Sequence, residues 1–227
     1  MDIGAVLLSL LQGFGNTVLL FAITLVLSIP LGLLVAFGSM SKFKPLKYAL
    51  KGFIWIIRGT PLMLQVLLVS FIPKHIFGIG NKKFVDLLNI STNTLMFVFV
   101  AIAFVINYAC YFSEIFRGGI ESVPKGQYEA GQVLGMTKRK IFFKIVLLQV
   151  FKKVLAPMSN EVITLVKDTS LARVLGVTEV LIAAQDAVNV YGFLSPLAYA
   201  AVFYLVFNGL LTILFGKLEK KLSYFRE

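Results

Sequence analysis

The residues most able to do chemistry are polar side chains inside an otherwise apolar segment near position 160. Read between positions 154 and 171, the set is Asn160, Glu161, Thr164, Lys167 and Asp168. Helical spacing puts Glu161, Thr164 and Asp168 on one face, with Asn160 and Lys167 in an adjacent stripe through Thr164. A charge at the centre of a bilayer costs about 2.5–3.5 kcal/mol on insertion scales. If this segment crosses a membrane, we expect these groups to face the protein interior or water.

A second polar pair, Asn107 and Glu114, lies seven positions apart in another apolar stretch and also shares a helix face. Glu114 precedes Arg117 by three positions, which is the spacing of an ion pair along a helix. Two interpretations of Glu114 therefore stay open: a polar group on the same path as Glu161 and Asp168, or a partner for Arg117.

Patterns typical of catalytic or metal sites are absent from the sequence. No stretch fits G-x-x-x-x-G-K-[ST], so the chain has no phosphate-cradling loop of its own. His75 is the only histidine, and neither C-x-x-C nor H-E-x-x-H spacing occurs. We expect no catalytic residue, no metal and no cofactor in this chain, and a transporter or channel rather than an intramembrane enzyme.

Composition places the chain in a membrane. Of its 227 residues 58% are hydrophobic and only 15% are charged, against about 25% charged in soluble domains. Residues 3–41, 87–113 and 187–216 carry no charge, and a spanning helix needs roughly 20 apolar residues. The net charge of +11 indicates membrane orientation rather than nucleic-acid binding, because the basic residues gather in the loops between apolar stretches.

We expect an all-α integral membrane protein with five transmembrane helices in one domain, 1–227. The predicted spans are 16–37, 53–72, 94–116, 151–171 and 195–216, with Pro61 interrupting the second. A loop is expected at 73–86, and a loop with Glu179 and Asp186 before the fifth span. Residues 5–16 are expected to lie in the interface, because one helix over 3–41 would be about 58 Å long, well beyond a hydrocarbon core of about 30 Å. Two short spans joined near Gly13 are an alternative.

Basic residues also predict the orientation. The loop 42–58, the insert 117–153 and the C-terminal tail hold five, eight and four of the 22 Lys and Arg residues. Because cytoplasmic loops collect Lys and Arg, these three segments are assigned to the cytoplasm. The N-terminus is then outside and the C-terminus inside.

The basic insert carries a spaced pattern, E-A-x-x-x-x-G-x(9)-I-x-L, which falls on Glu129, Ala130, Gly135, Ile145 and Leu147. This pattern resembles the EAA loop of ATP-binding-cassette importer permeases, written EAA-x3-G-x9-I-x-LP. Gly131 stands where the family has a third alanine, and Leu148 stands in place of the proline. We expect a helix that breaks at Gly135, where glycine permits a left-handed turn, with Glu129 near the helix start, favoured by the dipole.

Other stretches extend this resemblance over nearly the whole chain. IRGTPLMLQVLLV, YFSEIFRGGIESVPKGQYEAGQVLGM and NEVITLVKDTSL are similar to motifs of the subfamily that imports polar amino acids of the histidine, arginine, glutamine and cystine type. The resemblance implies a type I ABC importer fold and a multi-pass protein of the bacterial plasma (inner) membrane. It also implies a second permease chain, two ATPase subunits that bind ATP and Mg, and an external amino-acid-binding protein.

Two groups of residues follow from this resemblance. The coupling loop, 117–148, would transmit ATPase motion through Glu129, Ala130, Gly131, Gly135 and Met136. An amino-acid substrate is a zwitterion, so Lys167 beside Asp168, with Glu161 behind them, could bind both of its charged ends on the path. A structural role is the alternative, in which Lys167 and Asp168 end the helix and pair across the permease dimer.

Two other functions remain open at this stage. A stand-alone secondary transporter or channel would have no ATPase, and the spacing of the insert argues against it. A non-transporting scaffold subunit would have no need to bury the charges of the fourth span. The sequence does not name the amino acid, and it does not distinguish a homodimer from a heterodimer of permease chains.

Overall fold

The computed structural model describes residues 3–222, and the two N-terminal residues and the predicted tail beyond 222 lie outside this range. The described residues form ten α-helices, α1 Ile3–Ser39, α2 Lys44–Gly59, α3 Leu62–Phe77, α4 Asn81–Leu88, α5 Thr92–Glu121, α6 Lys125–Val133, α7 Lys138–Ile141, α8 Leu147–Asp168, α9 Val180–Tyr191 and α10 Ser195–Leu222. A π-helical stretch, Phe142–Val146, joins α7 to α8, and a 3-10 helix, Thr169–Leu175, follows α8.

Helix α5 is the centre of the bundle. The largest buried cluster collects its residues Val100, Phe104, Tyr108 and Phe112 with side chains from α1, α3, α8 and the 3-10 helix. Helix α1 lies along α5, and its buried positions include small residues, namely Thr17, Thr24, Ser28, Gly32 and Ala36. At Gly32 a Cβ atom would lie 2.9 Å from the carbonyl oxygen of Ala109, so this crossing needs glycine. Such close approach is how helices pack in membranes, where apolar burial adds little.

Three described helices are long and apolar enough to cross a membrane: α1, α5 and α10. Helices α2 and α3 pass the same test only as a pair, bent by 111°. Helix α8 is not among them because it carries five charged side chains, Lys152, Lys153, Glu161, Lys167 and Asp168. The all-α class is confirmed, and length and composition give three to four candidate spans.

The helix bounds differ from two of the predicted spans. Residues 5–16, expected in the interface, belong to α1, which is continuous from Ile3 to Ser39, and no residue near Gly13 interrupts it. The second predicted span, 53–72, is two helices, since Thr60 is extended before Pro61, as residues preceding proline are. Spans 94–116, 151–171 and 195–216 fall largely on α5, α8 and α10.

Two predicted loops contain helices. Helix α4, Asn81–Leu88, ends at Asn89 in the left-handed region, and α9, Val180–Tyr191, ends at Gly192 in the same region. The carboxylate of Glu179 caps α9, because it accepts the backbone N–H groups of Leu181 and Ile182 at 2.8 and 2.9 Å. Glu179 precedes an apolar run, but the N-cap residues that indicate a helix start are Ser, Thr, Asp and Asn, so the sequence did not indicate α9.

Glu179 is a structural carboxylate, and we predict that its loss destabilises the protein. It is only 1% exposed, and it also accepts the Tyr204 hydroxyl of α10 at 2.9 Å. Glu179→Ala leaves these donors unpaired, so we expect the free energy of unfolding to fall by about 2–3 kcal/mol. The thermal midpoint of the detergent-solubilised protein measures this. Asp186→Ala, at an exposed position of the same helix, is the control, and equal midpoints for both variants would contradict the assignment.

Candidate functional site

A polar face runs along α5 and α8 and begins at Asp168. The hydroxyl of Tyr108 donates a hydrogen bond of 2.7 Å to Asp168 Oδ2. Tyr108 is 2% exposed, whereas Asp168 is only half-buried. The bond therefore orients a carboxylate at the edge of the core and uses one of its two oxygens.

Glu161 lies on α8 two helical turns before Asp168 and is half-buried. Its spacing of seven positions from Asp168 places both carboxylates on one face of α8. Among residues 3–222 no hydrogen-bond donor or ion-pair partner contacts its carboxylate. Two acids at this spacing, with acceptor capacity left, form a site that suits a positively charged group.

The polar face continues on α5 through an ion-pair network next to the insert. Arg117 donates from Nε and Nη2 to the two oxygens of Glu114, at 3.0 and 2.6 Å, and from Nη1 to Glu121 at 2.6 Å. The pairing of Glu114 with Arg117, one of the two alternatives from the sequence, is therefore the arrangement in the structure. This fork geometry is the strong form of an Arg–carboxylate pair.

Arg58 joins the two parts of the polar face. Its guanidinium carbon lies 5.0 Å from the centroid of the Tyr111 ring, and that ring is 6.4 Å from the ring of Tyr108. Arg58 Nη1 is 3.7 Å from Glu114 Oε2. A series of neighbouring side chains thus runs from Asp168 through Tyr108, Tyr111 and Arg58 to Glu114 of α5.

The bend between α2 and α3 is held by a polar clamp. Gln65 Nε2 donates to the carbonyl oxygen of Ile57 at 2.7 Å and to Thr60 Oγ1 at 2.9 Å. Gln65 Oε1 in turn accepts from Asn107 Nδ2 at 3.0 Å. Both amide side chains are buried, Gln65 being 7% and Asn107 5% exposed. Asn107 therefore fixes the bend that carries Arg58.

The structure brings together some of the pathway residues expected from sequence. Asp168 and Glu161 share one face of α8, and Glu114 lies 3.7 Å from Arg58. Lys167 and Asn160 have exposed side chains, and Lys167 acts on Asp168 only through its charge. Sequence reasoning missed Tyr108, Gln65 and the central place of Arg58. Gln65 carried a signal, since it is the one polar residue in the apolar run 62–69.

The insert folds into α6 and α7 and packs on the end of α5. Its buried cluster contains Val123, Ile141 and Val146, with Met136 packed against them. Lys153 Nζ also donates to the carbonyl oxygen of Ser122 at 2.8 Å. The insert is therefore a packed unit rather than a free loop.

The turn after α6 has the geometry expected from its sequence. Gly135 has φ of 69°, and its backbone N–H donates to Gln132 at 2.9 Å, while the N–H of Met136 donates to Gly131 at 3.0 Å. The surroundings of Gly131 also explain why glycine stands there in place of the third alanine of the EAA pattern. A Cβ atom there would lie 2.7 Å from Cγ1 of Ile141, a buried side chain with little freedom to move.

The outer surface of α6 is exposed. Glu129 and Ala130 are exposed, and next to them Val133 is 87% and Leu134 is 78% exposed. Exposed apolar residues beside a carboxylate are typical of a contact surface. The sequence contained these two residues as an apolar pair within a polar insert. The expected position of Glu129 near the helix start was wrong, because α6 begins at Lys125 and Glu129 lies in its second turn.

Apolar helices of membrane-spanning length, a polar face through the bundle and a packed insert with an exposed surface define a membrane transport subunit. The chain belongs to the family of binding-protein-dependent transport system inner membrane components, whose sequence profile matches residues 28–224. It is thus a multi-pass transport component of the bacterial plasma membrane and not an enzyme.

Named relatives are similar over almost their full length. The L-cystine transport system permease protein TcyB of Bacillus subtilis (strain 168) is 34% identical, over 93% of this chain and 85% of the relative. The arginine transport system permease protein ArtQ of the same organism is 30% identical, over 94% of this chain and 92% of the relative.

Solved structures share the fold. A chain in the crystal structure of an amino acid ABC transporter with histidines superposes with a TM-score of 0.83, at 27% identity and with 97% of each chain covered. A chain of the inward-facing MetNI methionine ABC transporter has a TM-score of 0.63 at 14% identity, covering 96% of this chain and 95% of that one. The second likeness establishes the fold alone.

Proposed function

We propose that this chain is the permease subunit of an ATP-binding-cassette importer for polar amino acids, in which it forms the translocation pathway. The observation that carries the proposal is the oriented carboxylate of Asp168, bonded to Tyr108 at 2.7 Å, with the open carboxylate of Glu161 nearby. In a family of transport components, paired acids of this kind suit the ammonium group of an amino acid. The relatives named for cystine and arginine support this class of substrate.

The six pathway residues have different roles in this proposal. Asp168 and Glu161 contact the substrate, and Glu114 lies further along the same face. Asn107 acts through Gln65 on the bend. The exposed side chains of Lys167 and Asn160 flank the acids and add a cation and a hydrogen-bonding amide at the margin of the path.

In the proposed topology five segments cross the membrane: α1, the bent pair α2–α3, α5, α8 and α10. Helix α8 can cross despite its charges because Glu161 and Asp168 turn toward the polar face rather than toward lipid. The distribution of Lys and Arg puts the N-terminus outside and the insert and the C-terminus inside.

The proposed partners are a second permease chain, two ATPase subunits that bind ATP and Mg, and an external amino-acid-binding protein. The ATPase docks on α6 and the turn after it, where Glu129, Ala130, Gly131, Gly135 and Met136 lie, and where Val133 and Leu134 offer apolar contacts. Only 6% of the apolar window of α10 is buried, which leaves surface for lipid or for the second permease chain.

Reconstitution tests the proposed function directly. The chain is purified with its ATPase and its binding protein, placed in liposomes, and supplied with labelled L-arginine, L-glutamine or L-cystine, with and without ATP. We expect uptake of at least one of these amino acids that depends on both ATP and the binding protein. Uptake that needs no ATPase would favour a stand-alone transporter, and no uptake of any polar amino acid would refute the proposal.

A further inference from the structure

Arg58 is a cation held in position with its hydrogen-bond donors unused. Its guanidinium lies over Tyr111, and the 3.7 Å to Glu114 is longer than a hydrogen bond. It donates no hydrogen bond to any other residue of the described part of the chain. Arg117, by contrast, donates to Glu114 and Glu121 three times. Glu114 is therefore already neutralised, and Arg58 remains available to another anion.

The backbone under Arg58 is fixed in advance. Arg58 lies in the last turn of α2, and the clamp of Gln65 on Ile57 and Thr60 sets the direction in which that turn ends. Asn107 holds Gln65 from α5. Because the backbone that carries Arg58 is ordered before a ligand arrives, binding has to order only the side chain, which lowers the entropy lost on binding.

Arg58 faces a pocket large enough for a small ligand. The pocket has a volume of about 390 Å³, and its wall includes Lys51, Trp55, Arg58, Tyr111, Glu114 and Arg117. Three of these side chains are cationic and one is anionic, so the net charge of the wall is positive. Such a pocket attracts a negatively charged group, and the planar fork of an arginine matches a carboxylate with two parallel bonds.

Arg58 is the arginine of this wall that is free to bind such a group. Arg117 already donates to Glu114 and Glu121, whereas the guanidinium of Arg58 donates no hydrogen bond within residues 3–222. We propose that Arg58 binds the α-carboxylate of the transported amino acid. This assignment rests on the proposed function.

A thermodynamic cycle on the membrane site tests the proposal. The complex of permease and ATPase is placed in phosphatidylcholine nanodiscs without the binding protein, so that binding to the membrane site alone is measured. The probes are L-arginine, L-glutamine and L-cystine and their carboxamides, which lack the α-carboxylate. For the amino acid that the wild type binds, Arg58→Gln should weaken binding by about 10- to 100-fold, while the carboxamide should bind both proteins equally weakly.

Two further variants make the result specific. Arg58→Lys keeps the charge but loses the planar fork, so its affinity should fall between those of the wild type and Arg58→Gln. Lys47→Gln removes one positive charge from the same helix outside the pocket and should bind the amino acid like the wild type. Co-purification of the ATPase confirms that each variant assembles.

Several results would overturn the assignment of Arg58. One is equal weakening of the amino acid and its carboxamide by Arg58→Gln. Another is an effect of Arg58→Gln on binding that appears only when phosphatidylglycerol is added to the discs, which would assign Arg58 to an anionic lipid headgroup. A third is a wild-type complex that transports one of these amino acids but binds none of them in discs. A wild type without ATP-driven uptake would instead refute the proposed function itself.

Discussion

Replacing Glu129 with arginine removes the ATPase from the purified complex and lowers ATP-driven uptake by more than about tenfold. Glu129 is exposed and makes no ion pair within residues 3–222, so the substitution leaves the fold of the permease intact. At a docking surface, however, it places a cation where the partner meets a carboxylate. Reversal of a charge in an interface costs about 2–5 kcal/mol, which is enough to release a subunit during purification. Co-purification and uptake in liposomes measure the two effects.

The matched control is Gln127→Arg, which adds an arginine to another exposed position of α6 and should keep both the ATPase and uptake. Leu134→Glu is the apolar counterpart, and it should behave like Glu129→Arg, because Leu134 is 78% exposed and lies beside the same surface. Normal co-purification together with normal uptake in Glu129→Arg would show that the ATPase docks elsewhere or does not exist.

Asp168→Asn is expected to have the second large effect, a fall in uptake of about 10- to 100-fold. The asparagine oxygen still accepts the hydroxyl of Tyr108, so the geometry of the 2.7 Å bond is kept while the charge is lost. A charge-assisted hydrogen bond between Asp168 and the ammonium group of the substrate contributes about 1.5–3 kcal/mol. Its loss corresponds to the expected fall in uptake. Uptake by the reconstituted complex at a subsaturating concentration of amino acid is the measurement.

Two variants separate the charge of Asp168 from its orientation. Tyr108→Phe keeps the carboxylate but frees it to rotate, so uptake should fall by less than in Asp168→Asn. Asp86→Asn removes a carboxylate from an exposed position of α4 and should transport like the wild type. Full uptake in Asp168→Asn would assign Asp168 a purely structural role, as an end of α8 tied to α5.

The parts of the fold that local chemistry determines could be predicted from the sequence. Gly135 takes the left-handed φ of 69° that the break after α6 required, and Glu114 pairs with Arg117 at the spacing of one helical turn. The long uncharged stretches predicted helices at the positions of α5 and α10, and only the residues at the helix ends differ. In each case the residues that determine the structure lie within a few positions of one another.

The parts that depend on contacts between distant segments could not be predicted. Tyr108 and Asp168 are 60 positions apart, and Gln65 and Asn107 are 42 apart, so no local spacing indicates that they meet. The sequence did not indicate that residues 3–15 continue the first helix, because the bilayer limit applies to the hydrocarbon core and not to a helix that extends beyond it. Helix α9 was missed because its cap is a glutamate that also depends on Tyr204 of a later helix.

The continuous helical path from the insert into α8 has a mechanical consequence. Helix α8 has 22 residues and is therefore about 33 Å long. Asp168 is at its far end, and the π-helical stretch at its near end joins it to α7 without an intervening loop. By this geometry a tilt of about 5° about the near end would swing Asp168 sideways by about 3 Å. With α5 held in place, a tilt of only a few degrees is thus enough to break the 2.7 Å bond between Asp168 and Tyr108.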